Sequence, residues 1–112
     1  MEPIRVATWN VSWTGRGSRH FDQSQRRIAE IDADVLALTE TTDDLAPADG
    51  YVARGGPDWG YEERPSRRKV LLWSRWPVTD VSNEISEPGG RHVSATVLSP
   101  IGPVRVHAVC VP

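Results

Sequence analysis

The sequence predicts an α/β fold in which a mixed β-sheet is covered by a helix. Two apolar runs, at residues 4–10 and 34–40, have the composition of buried strands, and one amphipathic stretch lies between them. Five further β-rich runs follow residue 50 and are separated by Gly, Pro and Ser. Two strands joined by one helix are parallel and right-handed in nearly all cases, so the first two strands are expected to end at the same edge of the sheet.

Asn10 and Glu40 are the polar residues at which these two runs end. Ligands of α/β proteins gather at the carboxyl ends of strands, which makes this edge of the sheet the expected site. An amide oxygen beside a carboxylate is the hard-oxygen beginning of a magnesium site. Both residues are therefore candidates for metal binding and catalysis.

The helix is expected at residues 22–32. Asp22 and Gln25 have the spacing of a capping box, and Ile28 with Ile31 forms a short apolar stripe. A polar segment with a proline follows Glu40 and predicts a loop with one helical turn at residues 43–45.

The later strands are expected to form an antiparallel meander. Their predicted ranges are 51–54, 69–74, 78–83, 92–98 and 104–109. Three of them carry apolar residues at both parities, which is typical of strands covered on both faces. Because only one helix is predicted, one face of the sheet is expected to stay open and to promote self-association.

Composition sets further limits. The 112 residues allow one domain, and a formal net charge of -2 gives no general attraction to nucleic acid or membranes. The single cysteine, Cys110, excludes an internal disulfide. No leader sequence and no apolar run of membrane length is visible, so a cytoplasmic location without a transmembrane segment is expected.

Three segments together resemble one protein family. They are RVATWNV at residues 5–11, DADVLALTET at 32–41 and KVLLWSRWPV at 69–78. In this order and at these spacings they resemble the endonuclease/exonuclease/phosphatase superfamily, which includes the relatives of deoxyribonuclease I. The resemblance implies the N-terminal half of a four-layer α-β-β-α sandwich. Residues 1–112 are accordingly expected to be a single incomplete domain that lacks its C-terminal half.

The resemblance also implies a function. It implies a magnesium-dependent phosphoester hydrolase, with Mn²⁺ as an alternative ion, in which Glu40 binds the metal and Asn10 orients it and contacts metal or phosphate. The substrate would be a nucleic acid or a small phosphorylated molecule. The family motifs that activate the attacking water belong to the second half, so this part alone is expected to be inactive. The alternative is a non-catalytic family member that acts as a binding module.

A basic cluster precedes the strand at 69–74. Its members are Arg64, Arg67, Arg68 and Lys69. The cluster could contact phosphate groups, with Trp59 and Tyr61 nearby to stack on bases. Such runs are more often only solvated, and two neighbouring glutamates reduce the local charge.

Cys110 stands where many members of the family carry a histidine. Side chains alternate along a strand, so Cys110 and His107 would face opposite sides of the sheet and could not form a dyad. Cys110 is therefore expected to be a packed thiol. His20 and His92 are expected on the surface.

Overall fold

A computed structural model describes residues 3–15, 17–57, 60, 64, 66–83 and 89–111 of the chain. Its elements are β1 (Val6–Asn10), α1 (Phe21–Ile31), β2 (Val35–Thr42), β3 (Tyr51–Arg54), β4 (Arg67–Ser74), β5 (Val78–Ser82), β6 (His92–Ser99) and β7 (Gly102–Val109). Short 3₁₀ helices lie at Asp43–Leu45 and Gly89–Arg91. All predicted strands are present, with ends that differ by at most two residues, and the helical turn after β2 is confirmed.

The strands form two sheets. The first has the order β1-β2-β4-β3 and is mixed, because β1 runs parallel to β2 while the other pairs are antiparallel. The second sheet has the order β5-β6-β7 and is antiparallel. The mixed sheet with its helix is as predicted, but the expected single meander is wrong. It breaks after Ser74, where the chain turns through Pro77 and begins a second sheet.

The second sheet covers the face of the first that the sequence predicted to be open. Along β4, Leu71 and Trp73 pack in the core beneath α1, whereas Val70 and Leu72 pack in a second core with residues of β6 and β7. The inner residues of the second sheet include Val93, Ala95, Val97 and Ala108. Strand β4, which is apolar at both parities, is thus buried between a helix and a sheet.

Helix α1 begins one residue earlier than predicted, and the expected capping box is wrong. Its N-cap is His20, which makes no side-chain capping bond, and Asp22 lies inside the first turn. Phe21 belongs to the helix because its side chain is buried against the core. Asp22 then lies in the first turn, where its negative charge interacts favourably with the positive end of the helix dipole. No helix within the described residues is long and apolar enough to span a membrane.

Strands β1 and β7 are both edge strands within the described part of the chain. Val6 on β1 and Val109 on β7 are 66% and 54% exposed. The two strands border the same opening between the sheets, a cleft of about 390 Å³ lined by residues of β1, β2, β4 and β7. Unpaired edges of this kind are surfaces to which further strands add.

Candidate active site at the carboxyl ends of the parallel strands

Asn10 and Glu40 meet as the sequence predicted. The parallel register pairs Asn10 with Thr39, which puts Asn10 next to Glu40 at the end of the β1-β2 pair. The side-chain nitrogen Nδ2 of Asn10 donates a hydrogen bond of 2.8 Å to Oε1 of Glu40. The two residues are 30 positions apart in the sequence, and their contact joins β1 to β2.

The other end of the Asn10 amide is also occupied. Its Oδ1 accepts a hydrogen bond of 3.0 Å from the backbone N–H of Ser12. With an acceptor bond on one side and a donor bond on the other, the amide plane is fixed and its nitrogen faces Glu40. This geometry suits a residue that positions the Glu40 carboxylate.

Lys69 is the third side chain of the site. It lies opposite Glu40 on the neighbouring strand, because Thr39 pairs with Val70 and Thr41 with Arg68 on either side. Its Nζ is 3.5 Å from Oε2 of Glu40. Lys69 is the only lysine of the chain. Sequence reasoning placed it in the basic cluster but not beside Glu40, because the antiparallel register that joins them is a long-range feature.

Glu40 is ionised at neutral pH. The Asn10 hydrogen bond is the largest effect that lowers its pKa, and the charge of Lys69 lowers the pKa further. Partial burial acts in the opposite direction but does not outweigh them. The result is a charged oxygen donor whose side chain remains 28% exposed.

The backbone around this carboxylate is strained. Ser12, Trp13 and Glu40 all have positive φ, at 51°, 64° and 49°, although none is glycine. Each such residue costs about 1 kcal/mol or more. The N–H of Trp13 donates to the backbone oxygen of Glu40 at 2.5 Å, so the loop after β1 is tied to the end of β2. Strain concentrated in one place is a frequent property of functional sites.

The same loop passes very close to β2. A Cβ atom on Gly15 would lie 2.9 Å from the side chain of Thr42. Only glycine therefore fits at this crossing without a shift of the Thr42 side chain.

The basic cluster divides among different partners. Arg68 forms an ion pair with Asp43 at 3.6 Å, and Arg54, which lies on β3 outside the cluster, pairs with the same aspartate at 2.9 Å. The guanidinium of Arg67 instead lies over the indole ring of Trp13, 5.0 Å from the ring centroid, and Lys69 Nζ is 5.7 Å from the same ring. Trp59 and Tyr61, which were predicted to stack on bases, lie outside the described residues.

Cys110 is buried, and His107 is exposed on the opposite parity of the strand, so the packed-thiol prediction is confirmed and no dyad forms. His20 is exposed, as expected.

The prediction for His92 is wrong, since it is only 1% exposed. It lies on β6, the central strand of the second sheet, where Nε2 is 3.0 Å from Nδ1 of His107, and burial lowers its pKa. A polar residue type had suggested the surface, but a central strand is buried by its neighbours.

The donor set fits magnesium only in part. Within the described residues, no three His, Cys, Asp or Glu side chains lie close enough to hold a metal ion. Mg²⁺ usually keeps several waters and takes one or two protein carboxylates together with substrate phosphate. The ionised Glu40 fits one position of such a shell, and Oδ1 of Asn10, the second candidate ligand, already accepts the backbone N–H of Ser12.

The chain is similar to known proteins in sequence and fold. The model of the endonuclease/exonuclease/phosphatase family matches residues 7–111. A crystal structure of an endonuclease/exonuclease/phosphatase from Beutenbergia cavernae DSM 12333 is 26% identical, with a TM-score of 0.59 over 94% of this chain. A family protein from Leptotrichia buccalis C-1013-b is 13% identical, with a TM-score of 0.62 over 98% of the chain, and shows the fold alone. No curated protein sequence matches the chain.

The chain is short beside these structures. It spans 37% of the length of the Beutenbergia protein and 55% of the Leptotrichia protein. Two sheets with one helix are therefore consistent with half of a larger sandwich.

Proposed function

The chain belongs to the endonuclease/exonuclease/phosphatase family, and on this premise we propose that it is part of a magnesium-dependent phosphoester hydrolase. The observation that best supports the proposal is the ionised Glu40, held by Asn10 where two parallel strands end. Mn²⁺ is a suitable alternative ion because it prefers the same oxygen ligands. The proposed substrate is a phosphoester in a nucleic acid or a small phosphorylated molecule.

Each residue has a defined task in this proposal. A bound Mg²⁺ would polarise a phosphoryl oxygen and stabilise the leaving oxygen. Glu40 provides the anionic oxygen ligand, and Asn10 keeps that carboxylate in one orientation. Lys69 neutralises the carboxylate while no metal is bound, since its ammonium lies beside Oε2.

We assign the water-activating group to the rest of the domain. Support comes from the share of the related structures that this chain spans and from the two edge strands that border one cleft. Strands that add to β1 and β7 would bring new side chains to the end of the sheets where Glu40 lies. Residues 1–112 alone are then expected to be inactive.

One observation favours a second candidate, a non-catalytic binding module. Both carboxylate oxygens of Glu40 already have partners within the chain, Asn10 and Lys69, which is an arrangement that can persist without metal. Magnesium binding by the complete protein separates the two candidates, because a binding module of this kind has no need for the ion.

Glu40→Gln tests the hydrolase proposal in the complete protein. Loss of the charged ligand should reduce Mg²⁺-dependent hydrolysis about 100-fold or more, since the metal supplies several kcal/mol of charge stabilisation. The matched control is Glu30→Gln, the same substitution on the exposed face of α1, which should leave the rate unchanged. Equal turnover in Glu40→Gln and the wild type would contradict the assignment.

Residues 1–112 in isolation test the half-domain proposal. Exposed apolar edges should make them self-associate and bind a hydrophobic dye, with weak amide-exchange protection in β7. Magnesium should bind no tighter than about 1 mM, because one carboxylate and one amide are an incomplete shell. A compact monomer with a sharp cooperative melt would instead mean that these residues are a small domain complete in itself.

A further inference from the structure

Arg67 differs from Arg54 and Arg68 in what its side chain contacts. Arg54 and Arg68 each lie within 4.0 Å of Asp43. The guanidinium of Arg67 makes no hydrogen bond or ion pair with any residue of the described ranges, and its contact is with the ring of Trp13. A guanidinium that lies on an aromatic face keeps its N–H groups available in the plane of the fork.

Trp13 links this guanidinium to the carboxylate of the site. Its backbone N–H is bonded to the backbone oxygen of Glu40, which fixes the loop that carries the indole ring. The ring also lies near Lys69 Nζ, which is itself 3.5 Å from Glu40. Carboxylate, ammonium, indole and guanidinium therefore form one continuous surface.

The charges on this surface suit a particular ligand. Glu40 and Lys69 neutralise each other, and Arg67 adds a positive charge without a carboxylate partner in the described part of the chain. The fork of an arginine matches the oxygens of phosphate in a bidentate manner. A phosphate is also the group that a metal ion bound at Glu40 would coordinate.

We infer that Arg67, held on Trp13, is a substrate-binding residue that contacts phosphate oxygens next to Glu40. This inference rests on the proposed phosphoester hydrolase function and adds a binding residue to it. The shared chemistry is the phosphate group, whether a phosphomonoester or the diester of a nucleic acid supplies it.

Arg67→Gln in the complete protein is the first test. With EDTA present, inorganic phosphate, a nucleoside monophosphate and a dinucleoside phosphodiester are titrated separately, and binding is followed through the NMR signals of the indole N–H groups. Binding of the preferred phosphate compound should weaken about 10- to 100-fold, as for the loss of charge-assisted hydrogen bonds. The compound that shows the largest loss identifies the monoester or the diester as the source of the phosphate.

Three further variants sharpen this test. Arg67→Lys keeps the charge without the planar fork and should recover only part of the affinity. Trp13→Leu removes the ring and should weaken phosphate binding while Arg67 is still present. Arg26→Gln, an exposed arginine of α1, is the matched control and should bind like the wild type. Circular dichroism of each variant checks that the fold is kept.

The outcomes separate this inference from the function on which it rests. If Arg67→Gln binds phosphate compounds like the wild type while Glu40→Gln loses Mg²⁺-dependent hydrolysis, the role of Arg67 is wrong and the hydrolase proposal stands. If the wild type hydrolyses no phosphoester with Mg²⁺ but Arg67→Gln still loses phosphate affinity, the phosphate-binding role stands and the hydrolase proposal is wrong. With Mg²⁺ and substrate, we expect Arg67→Gln to raise KM about 10-fold or more.

Discussion

Two carboxylates lie at opposite ends of β2 and are held in place in different ways. Asp34 directly precedes the strand, and Glu40 lies two residues before its end. Both pKa values are lowered, and both side chains accept a hydrogen bond and pair with a basic residue. They differ in their backbones and in their donors, since the largest effect on the pKa comes from a backbone N–H at Asp34 and from a side-chain amide at Glu40.

Asp34 is a structural joint. Its Oδ2 accepts the backbone N–H of Arg5 at 2.9 Å, and its Oδ1 accepts Nε of Arg75 at 2.9 Å. Backbone bonds between the same residues accompany these contacts, since Arg75 N–H donates to the oxygen of Asp34 and Asp34 N–H to that of Arg5. Asp34 therefore ties the start of β1 and the corner after β4 to β2 without positive φ.

Glu40 is held at a higher backbone cost. Its φ is positive, two neighbouring loop residues share that property, and its cation is Lys69 at 3.5 Å. A lowered carboxylate pKa alone therefore does not mark a functional residue. Backbone strain and partners that are all side chains distinguish the site from the joint.

Asp34→Asn gives the largest expected change in stability. Asparagine can accept only one of the two hydrogen bonds and turns an N–H₂ group towards the other donor. The free energy of unfolding should fall by about 2 kcal/mol, which lowers the melting temperature by about 10 °C in a domain of this size. Thermal denaturation followed by circular dichroism measures the change.

Two substitutions serve as references for that measurement. Asp32→Asn affects only the exposed partner of Arg75, so it should cost less than about 0.5 kcal/mol. Glu40→Gln keeps an oxygen for the Asn10 bond and loses an ion pair worth about 1 kcal/mol or less. If Glu40→Gln proves as destabilising as Asp34→Asn, the distinction between joint and site is wrong.

The sequence predicted the features that local patterns determine. Periodicity placed the strands and the helix, and the rule for parallel crossovers brought Asn10 and Glu40 together. The sequence did not predict that the chain changes sheets after Ser74, because the same apolar parity fits burial by a helix or by a sheet.

Contacts between residues that are distant in the sequence could not be predicted either. Lys69 reaches Glu40 through an antiparallel register, and Arg67 reaches Trp13 through a strained loop. Neither register nor positive φ at non-glycine residues can be read from residue type alone. His92 was misplaced for a related reason, since its burial depends on its position in the middle of the second sheet.

Titration of the two carboxyl groups compares their partners directly. Asn10→Ala should raise the pKa of Glu40, because it removes the largest effect that lowers it and leaves only the smaller effects of Lys69 and Trp13 against burial. Arg75→Gln should raise the pKa of Asp34 by less, because the backbone N–H of Arg5 remains. Carbon-detected NMR of the side-chain carboxyls measures both changes, and an equal or larger rise at Asp34 would contradict the ranking.

The same pKa shifts set the direction of acid denaturation. Each folded-state pKa lies below the unfolded value of about 3.9 for Asp or 4.3 for Glu, so each group contributes stability above that value. The contribution is lost as the pH falls through the lowered pKa. We therefore expect the melting temperature of the wild type to fall below about pH 4, and less steeply in Asp34→Asn, where that contribution is already missing.

Ser12→Gly gives the smallest effect and tests the strain at the site. Glycine adopts positive φ without a Cβ penalty and keeps the backbone N–H bond to Asn10, which should stabilise the fold by about 0.5 kcal/mol after the entropy cost of glycine. Ser12→Ala removes the same hydroxyl but keeps the Cβ, so it should not stabilise. At the opposite end of β2, Ala33→Gly should destabilise by about 1 kcal/mol, because Ala33 has no positive φ to relieve and packs in the core. Equal melting temperatures for Ser12→Gly and Ser12→Ala would mean that the loop beside Glu40 stores no strain.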